Sequence, residues 1–205
     1  MKGKGMLKFV ISSFTVLILL SGCSSKSSVD LVSSTVDLKN DEGRLGGIGI
    51  TSGEKEGEII IPITLSYDFV LKNTGEKTLG GTKKLNEQTY EYEDGIKVYI
   101  EPNEKLKEVS EEIMGVNIFS FDEEGEQIAK LGTGKTGVPI IEPNKEGEYT
   151  FDFILGALEE NPEIRLSPPT EQLEKLKEHA MDATLIVSVE GEEIARFDLS
   201  NSELP

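Results

Sequence analysis

The segment from Ile63 to Asn73 alternates apolar and polar side chains with a period of two, and this pattern restricts the fold more than any other feature of the chain. The apolar positions are Ile63, Leu65, Tyr67, Phe69 and Leu71, and the polar ones are Thr64, Ser66, Asp68 and Lys72, with Val70 as the exception. Successive side chains point to opposite faces only in an extended strand. The segment therefore predicts a β-strand with one buried face, ended by Asn73-Thr74-Gly75.

Two further regions carry the same period. The apolar positions of the first, which alternate with Thr150 and Asp152, are Tyr149, Phe151, Phe153 and Leu155. In the second, residues 184–190 and 193–199 flank Gly191 and predict a hairpin.

A second hairpin is predicted around Asp94-Gly95. A three-residue loop, Glu93-Asp94-Gly95, pairs Tyr92 with Ile96 and Tyr90 with Val98. This register keeps the apolar side chains on one face, whereas a two-residue loop would mix the faces. Gly95 is then expected in the left-handed conformation.

A third hairpin is predicted around the acidic turn at residues 122–125. Its four-residue loop places Phe119 opposite Ile128 and Val116 opposite Leu131. The segment from Gly132 to Gly137 is then the loop that leaves the second strand.

Two short helices interrupt the strands. Asn103 can cap the first and Ser167-Pro168-Pro169 introduces the second. The residues expected to face inward are Leu106, Val109 and Ile113 in the first helix and Leu173, Leu176 and Ala180 in the second. Many strands, glycine-rich turns and few helices predict a mainly β fold, an antiparallel β-sandwich with two short helices in its connections.

Residues 129–136 read AKLGTGKT, which fits the loose form of a phosphate-binding loop with Ala129 in place of the first glycine. Such a loop leads into a helix whose N-terminus holds the phosphates. Gly137-Val138-Pro139 follows instead and disfavours a helix at this position. The sequence therefore predicts no nucleotide binding.

The first 23 residues fall into three successive parts: a basic start, an apolar run and a short segment that ends in cysteine. Lys2, Lys4 and Lys8 precede an apolar run from Phe9 to Leu20, which is too short for a stable bilayer-spanning helix. The next residues, Leu20-Ser21-Gly22-Cys23, resemble the lipobox of bacterial lipoproteins. That resemblance implies a signal peptide over residues 1–22, cleavage before Cys23, and lipid attachment at the Cys23 thiol. Two or three acyl chains anchor a protein stably.

Three regions follow from this interpretation: a lipoprotein signal peptide over residues 1–22, the lipidated cysteine and a flexible tether over residues 23–44, and a single β-sandwich domain over residues 45–205. The expected location is extracytoplasmic, with the lipid on Cys23 anchoring the chain to the cell membrane.

Composition excludes several classes of function. Removing residues 1–22 leaves 18 Lys and Arg against 38 Asp and Glu, a formal charge of −20, which disfavours nucleic acid as a partner. Cys23 is the only cysteine and His179 the only histidine, so no catalytic, metal or cofactor set is predicted. His179 is assigned to a helix surface, and the acidic turns at 40–42 and 122–126 to solvated loops instead of calcium sites.

A second resemblance concerns the fold. The segments from Tyr67 to Gly75 and from Glu142 to Phe151 resemble the strand–turn pattern of immunoglobulin-like domains in bacterial surface proteins. In that pattern, a strand ending in Asn-x-Gly precedes a Pro-Gly-type turn into another core strand. Here Lys145-Glu146 separates Pro143-Asn144 from the glycine. The resemblance implies an immunoglobulin-like sandwich and no catalytic motif.

These observations predict a membrane-anchored, non-enzymatic binding or interaction module of the cell envelope. The sheet edges or end loops would be the contact surface, and an envelope protein is the candidate partner. Two alternatives stay open: an envelope hydrolase that uses surface carboxylates, and a carrier of a small ligand. Carboxylates of raised pKa in a cleft would favour the first, and an internal cavity the second.

Overall fold

The computed structural model describes residues 28–87, 90–122 and 125–201. Its strands are β1 (Val29–Lys39), β2 (Ile48–Gly49), β3 (Ile59–Ile60), β4 (Ile63–Asn73), β5 (Leu79–Gly80), β6 (Ile96–Pro102), β7 (Thr133–Gly137), β8 (Ile140–Ile141), β9 (Glu146–Gly156), β10 (Ala183–Val189) and β11 (Glu192–Asp198). Its helices are α1 (Glu42–Leu45), α2 (Glu104–Met114) and α3 (Thr170–Glu178). The fold is mainly β, as the sequence predicts.

Two antiparallel sheets make up most of the fold. The larger has the strand order β1-β4-β9-β7, and the smaller has the order β11-β10-β6. Two short pairs, β2 with β3 and β5 with β8, complete the pairing of the named strands. Strands β7 and β6 are therefore each at the edge of their sheet.

One face of β4 and β9 supplies the centre of the core. Tyr67 pairs with Phe151, so the aromatic side chains of both strands lie together on this face. The rings of Tyr67 and Phe153 meet edge to face, with centroids 6.0 Å apart, and the Tyr67 hydroxyl donates to the Ala180 carbonyl at 2.8 Å. The same buried cluster continues into β6, β10, α2 and α3. Both sheets and two helices therefore share one core.

Hydrophobic periodicity predicted the central elements correctly. Strands β4 and β9, the hairpin of β10 and β11, and helices α2 and α3 all occupy the expected segments. The Asn103 side chain caps α2 by accepting from the N–H of Leu106 at 2.9 Å. Helix α1 was not predicted, because a single turn leaves no periodic signal.

The prediction of a flexible tether over residues 23–44 is wrong for residues 29–44. Residues 29–39 form β1 and pair along most of β4, and residues 42–45 form α1. The ordered part of the chain therefore includes residues well before 45. Residues 23–27, including Cys23, lie outside the described residues.

Ion pairs on the outer face of the larger sheet hold this segment in place. Arg44 donates to Asp68 at 2.7 Å and to Asp152 at 3.0 Å, and Lys39 donates to Asp68 at 2.8 Å. Partial burial would raise the pKa of Asp68, but these hydrogen bonds outweigh it and lower that pKa below its ordinary value. Arg44 therefore bridges both carboxylates on this face, and Lys39 adds a second cation to Asp68.

The hairpin predicted around Asp94-Gly95 does not form. Strand β6 pairs along its whole length with β10, and Tyr90 has a φ of 57° that does not suit a strand. Gly95 does not take the left-handed conformation. The Asp94 carboxylate instead accepts from the backbone N–H groups of Lys83 and Lys84, each at 3.1 Å. Asp94 thus fixes the preceding loop in place of a hairpin turn.

The hairpin predicted over residues 116–131 is reduced to a single bridge between Phe121 and Gln127, in a different register. The Gln127 side chain takes the place of strand pairing. Its amide nitrogen donates to the Ile118 carbonyl at 2.8 Å, and its oxygen accepts from the N–H groups of Leu131 and Gly132 at 3.0 Å. A buried side chain that bonds three backbone groups leaves no pattern in the sequence.

Asn73 closes the end of β4 through its side chain and is fully buried. Its amide nitrogen donates to the carbonyls of Lys77 at 2.8 Å and Ile141 at 2.9 Å, and its oxygen accepts from the N–H of Gly75 at 2.9 Å. One side chain therefore ties the end of β4 to three backbone groups of neighbouring segments.

We expect Asn73→Ala to lower the free energy of unfolding by about 2–3 kcal/mol, because buried backbone groups lose their partners. Asn40→Ala is the matched control: Asn40 also donates to two carbonyls, Ile61 and Pro62, but is exposed. It should cost less than about 1 kcal/mol. Urea denaturation measures both values, and equal losses would contradict a special role for Asn73.

Candidate binding groove

Most of the glycine-rich segment Gly132–Gly137 is a strand. The prediction of an exit loop is wrong for residues 133–137, which form β7 and pair with β9 from Thr133 opposite Phe153 to Gly137 opposite Tyr149. Val138 and Pro139 follow, and then β8. The strand-to-helix turn that cradles a phosphate is therefore not formed by these residues.

Strand β7 presents backbone groups at the open edge of the larger sheet. The N–H of Ile154 donates to the carbonyl of Gly132 at 3.0 Å, which fixes the hydrogen-bonding register. In an antiparallel pair the bonded residues alternate. Gly134 and Thr136 therefore bond to β9, while the N–H and C=O groups of Thr133, Lys135 and Gly137 face away from it. These three residues are exposed.

A groove of about 320 Å³ lies between β7 and β6. The segment that contains Tyr90 and Tyr92 forms a further part of its wall. The groove is a gap between the edges of the two sheets. The charged and aromatic side chains that line it are two lysines, one glutamate and three tyrosines: Lys97, Lys135, Glu91, Tyr90, Tyr92 and Tyr149.

Lys135 projects from β7 on the side of the sheet that carries the aromatic core. Its ammonium lies 5.1 Å from the ring centroid of Tyr99 and 5.7 Å from that of Phe151. The Lys135 side chain is 36% exposed, and the partial burial of the rest lowers its pKa below the ordinary value; Glu91 opposes this effect and Lys97 adds to it. The side chain thus covers the open side of the core with its stem and keeps its charge in the groove.

Glu91 lies between the two lysines. Its carboxylate oxygens are 3.5 Å from the Lys97 ammonium and 3.9 Å from the Lys135 ammonium. Two positive charges therefore face one negative charge, on a chain whose formal charge is −17. The groove is a locally cationic site on an acidic protein.

Backbone conformation and a hydrogen bond fix the positions of two tyrosines of the groove, Tyr90 and Tyr149. Tyr90 is 80% exposed and adopts a φ of 57°, a conformation that costs free energy for an aromatic residue. Tyr149 donates from its hydroxyl to the Val138 carbonyl at 2.8 Å. A Cβ at Gly137 would collide with the Tyr149 ring, so glycine is required there. The tyrosines are thus placed by the backbone around them.

The single histidine lies away from the groove. His179 follows α3 and its Nδ1 is 2.8 Å from a carboxylate oxygen of Asp182. Within residues 28–87, 90–122 and 125–201, His, Cys, Asp and Glu form no group of three or more that could hold a metal ion. The described helices include none with the length and apolar character needed to cross a bilayer.

Sequence reasoning missed this site because its residues carry no shared motif. Lys135 belongs to the AKLGTGKT segment, which the sequence predicts to be an exit loop without a binding role. Lys97 and Glu91 belonged to the predicted hairpin that does not form. Only the edge position of β7, set by its pairing with β9, brings the three together.

Comparisons with known proteins supply no family: no protein-family model, no curated protein and no solved structure matches this chain.

We expect the Lys135 ammonium to titrate below about 10.4, the ordinary value for lysine, because burial and Lys97 disfavour its charged form. Glu91→Gln should lower the midpoint further, and Lys97→Gln should raise it. An NMR titration of the lysine side-chain carbon next to nitrogen measures all three. Glu112→Gln, on α2, is the control and should leave the midpoint unchanged. A higher midpoint in Glu91→Gln would disprove the assigned geometry.

Proposed function

We propose that this chain is a lipid-anchored, extracytoplasmic protein of a bacterial cell envelope, and that its β domain is a non-enzymatic binding module. The binding site is the groove between β6 and β7. The observation that carries the proposal is the coincidence of an open strand edge with a cationic, tyrosine-lined groove. Aromatic side chains and a few placed charges are the usual composition of binding surfaces.

The anchoring part of the proposal is supported by the sequence alone. The lysines, the apolar run and Leu20-Ser21-Gly22-Cys23 stand in the order and spacing of a lipoprotein leader. Strand β1 begins at Val29, so the folded domain follows Cys23 closely. Membrane attachment through the lipid is the partner contact that we assign to Cys23.

For the architecture we propose an immunoglobulin-like sandwich. The support is the pair of antiparallel sheets over one core, with β4 and β9 at the positions that carry the resemblance. Such sandwiches bind partners through sheet edges and end loops more often than through internal cavities.

Two carboxylates of the larger sheet that share Arg44 argue for binding in preference to hydrolysis. Asp68 and Asp152 both accept hydrogen bonds from Arg44, and the pKa of Asp68 is lowered. A hydrolase acid needs a raised pKa instead. This pair therefore fits an ion-paired support for the N-terminal segment.

We expect Cys23→Ala to release the protein from the membrane fraction and to abolish its labelling by a fatty-acid probe, because the lipid has no other thiol to join. Ser25→Ala, two residues away, is the matched control and should change neither result. Membrane retention with intact labelling in Cys23→Ala would overturn the anchoring proposal.

The binding proposal predicts contact between the groove and another envelope component in intact cells. A photo-reactive benzoylphenylalanine in place of Tyr90 should give discrete cross-linked species. The same residue in place of Val32, which is exposed on the opposite edge strand β1, should give none of them. Adducts shared by both positions, or no adducts at position 90, would count against the groove as a binding site.

A further inference from the structure

We propose that the groove binds an extended peptide segment, which adds as a strand to the free edge of β7 and places an acidic side chain beside Lys135 and Lys97. This inference rests on the binding function proposed above and names the class of its ligand. Strand addition is an established mode of peptide recognition, in which backbone hydrogen bonds give affinity and alternate side chains give specificity.

The edge of β7 offers the hydrogen bonds that strand addition needs. Thr133, Lys135 and Gly137 present their N–H and C=O groups away from β9, and all three are exposed. Strand β7 contains no proline. An added antiparallel strand would therefore pair with three alternate residues of β7.

Lys135 determines which peptides this edge accepts. An inward-pointing charge on an edge strand is a device that prevents indiscriminate strand pairing, because an apolar partner would bury it without a counterion. A peptide residue opposite Lys135 places its side chain on the same face, in the groove. An acidic side chain there would add a second carboxylate to the one that Glu91 already supplies to Lys135 and Lys97.

The charge of the groove favours the same ligand. Glu91 shares its carboxylate between Lys97 and Lys135 at 3.5 and 3.9 Å, distances longer than those of close ion pairs elsewhere in the fold, such as 2.7 Å between Arg44 and Asp68. Because two ammonium groups face one carboxylate, their charge favours a second carboxylate from a ligand. The tyrosines around them supply apolar contact for the neighbouring residues of the peptide.

The opposite face of β7 indicates what the outward residues of such a peptide should be. Thr136 and Thr150 join their hydroxyls across β7 and β9 at 2.6 Å. Threonine on an added strand would continue this row, since cross-strand threonine pairs stabilise sheets. A peptide with threonines on one face and an acid at the centre of the other therefore fits both faces.

The test uses the full chain in detergent and a fluorescent peptide, acetyl-Thr-Val-Thr-Glu-Thr-Val-Thr-amide, with binding measured by anisotropy. Replacing the central glutamate by glutamine should weaken binding by about tenfold, through loss of a charge-assisted contact. N-methylation of both valines, whose N–H groups would face β7, should abolish binding. N-methylation of the two threonines beside the glutamate, whose N–H groups face outward, should be tolerated.

Variants of the protein test whether the lysine charges of the groove contribute to the affinity for the peptide. Lys135→Gln and Lys97→Gln should each weaken binding of the glutamate peptide and narrow its advantage over the glutamine peptide. Lys145→Gln, in the turn before β9, is the matched control and should bind as the wild type does. Amide hydrogen exchange at Thr133, Lys135 and Gly137 should slow when the glutamate peptide is present.

Equal binding of the glutamate and glutamine peptides, or of the two N-methylated forms, would overturn the inference. So would binding of an oligogalacturonate, an acidic carbohydrate without peptide groups, where the glutamate peptide does not bind. Cross-linking at position 90 without peptide binding would leave the binding function standing and remove only its peptide ligand. If neither cross-linking at position 90 nor peptide binding is observed, the proposed binding function of the groove is wrong.

Discussion

The pairing of β4 with β9 is the constraint on which the rest of the structure depends. One face of this pair carries the aromatic residues that the smaller sheet and two helices cover, with Tyr67 bonded to Ala180 at its centre. The other face carries Asp68 and Asp152, which Arg44 bridges. The first face therefore forms the core, and the second binds α1 and the end of β1 through ion pairs.

The same pair creates the candidate site. Because β4 occupies one edge of β9, the other edge is left for β7, a short strand with no apolar residue. Strand β7 has no apolar side chain with which to pack into the core. Its backbone hydrogen bonds to β9 therefore hold it in the sheet. Its outer edge stays open, and Lys135 reaches across to Tyr99 on β6.

The sequence predicted elements where burial leaves a period and failed where it does not. Strands β4 and β9 alternate over many residues, whereas β1 combines two adjacent serines with a bulge near Val32 and buries its side chains only in part. Strand β7 reads as a loop because its residues follow turn composition. The groove could not be predicted, since Lys97, Lys135 and Glu91 meet only through the tertiary arrangement of two sheet edges.

On the proposed anchoring, the early start of β1 limits how far the folded domain can lie from the membrane. If Cys23 carries the proposed lipid, five residues lie between it and Val29, and the six intervals span at most about 22 Å. Val29 lies opposite Asn73, at the end of the larger sheet where β9 begins, and Tyr149, which lines the groove, follows that start by three residues, about 10 Å. On the proposed anchoring, this short tether keeps the folded domain near the membrane and favours a partner in the same membrane or a chain emerging from it.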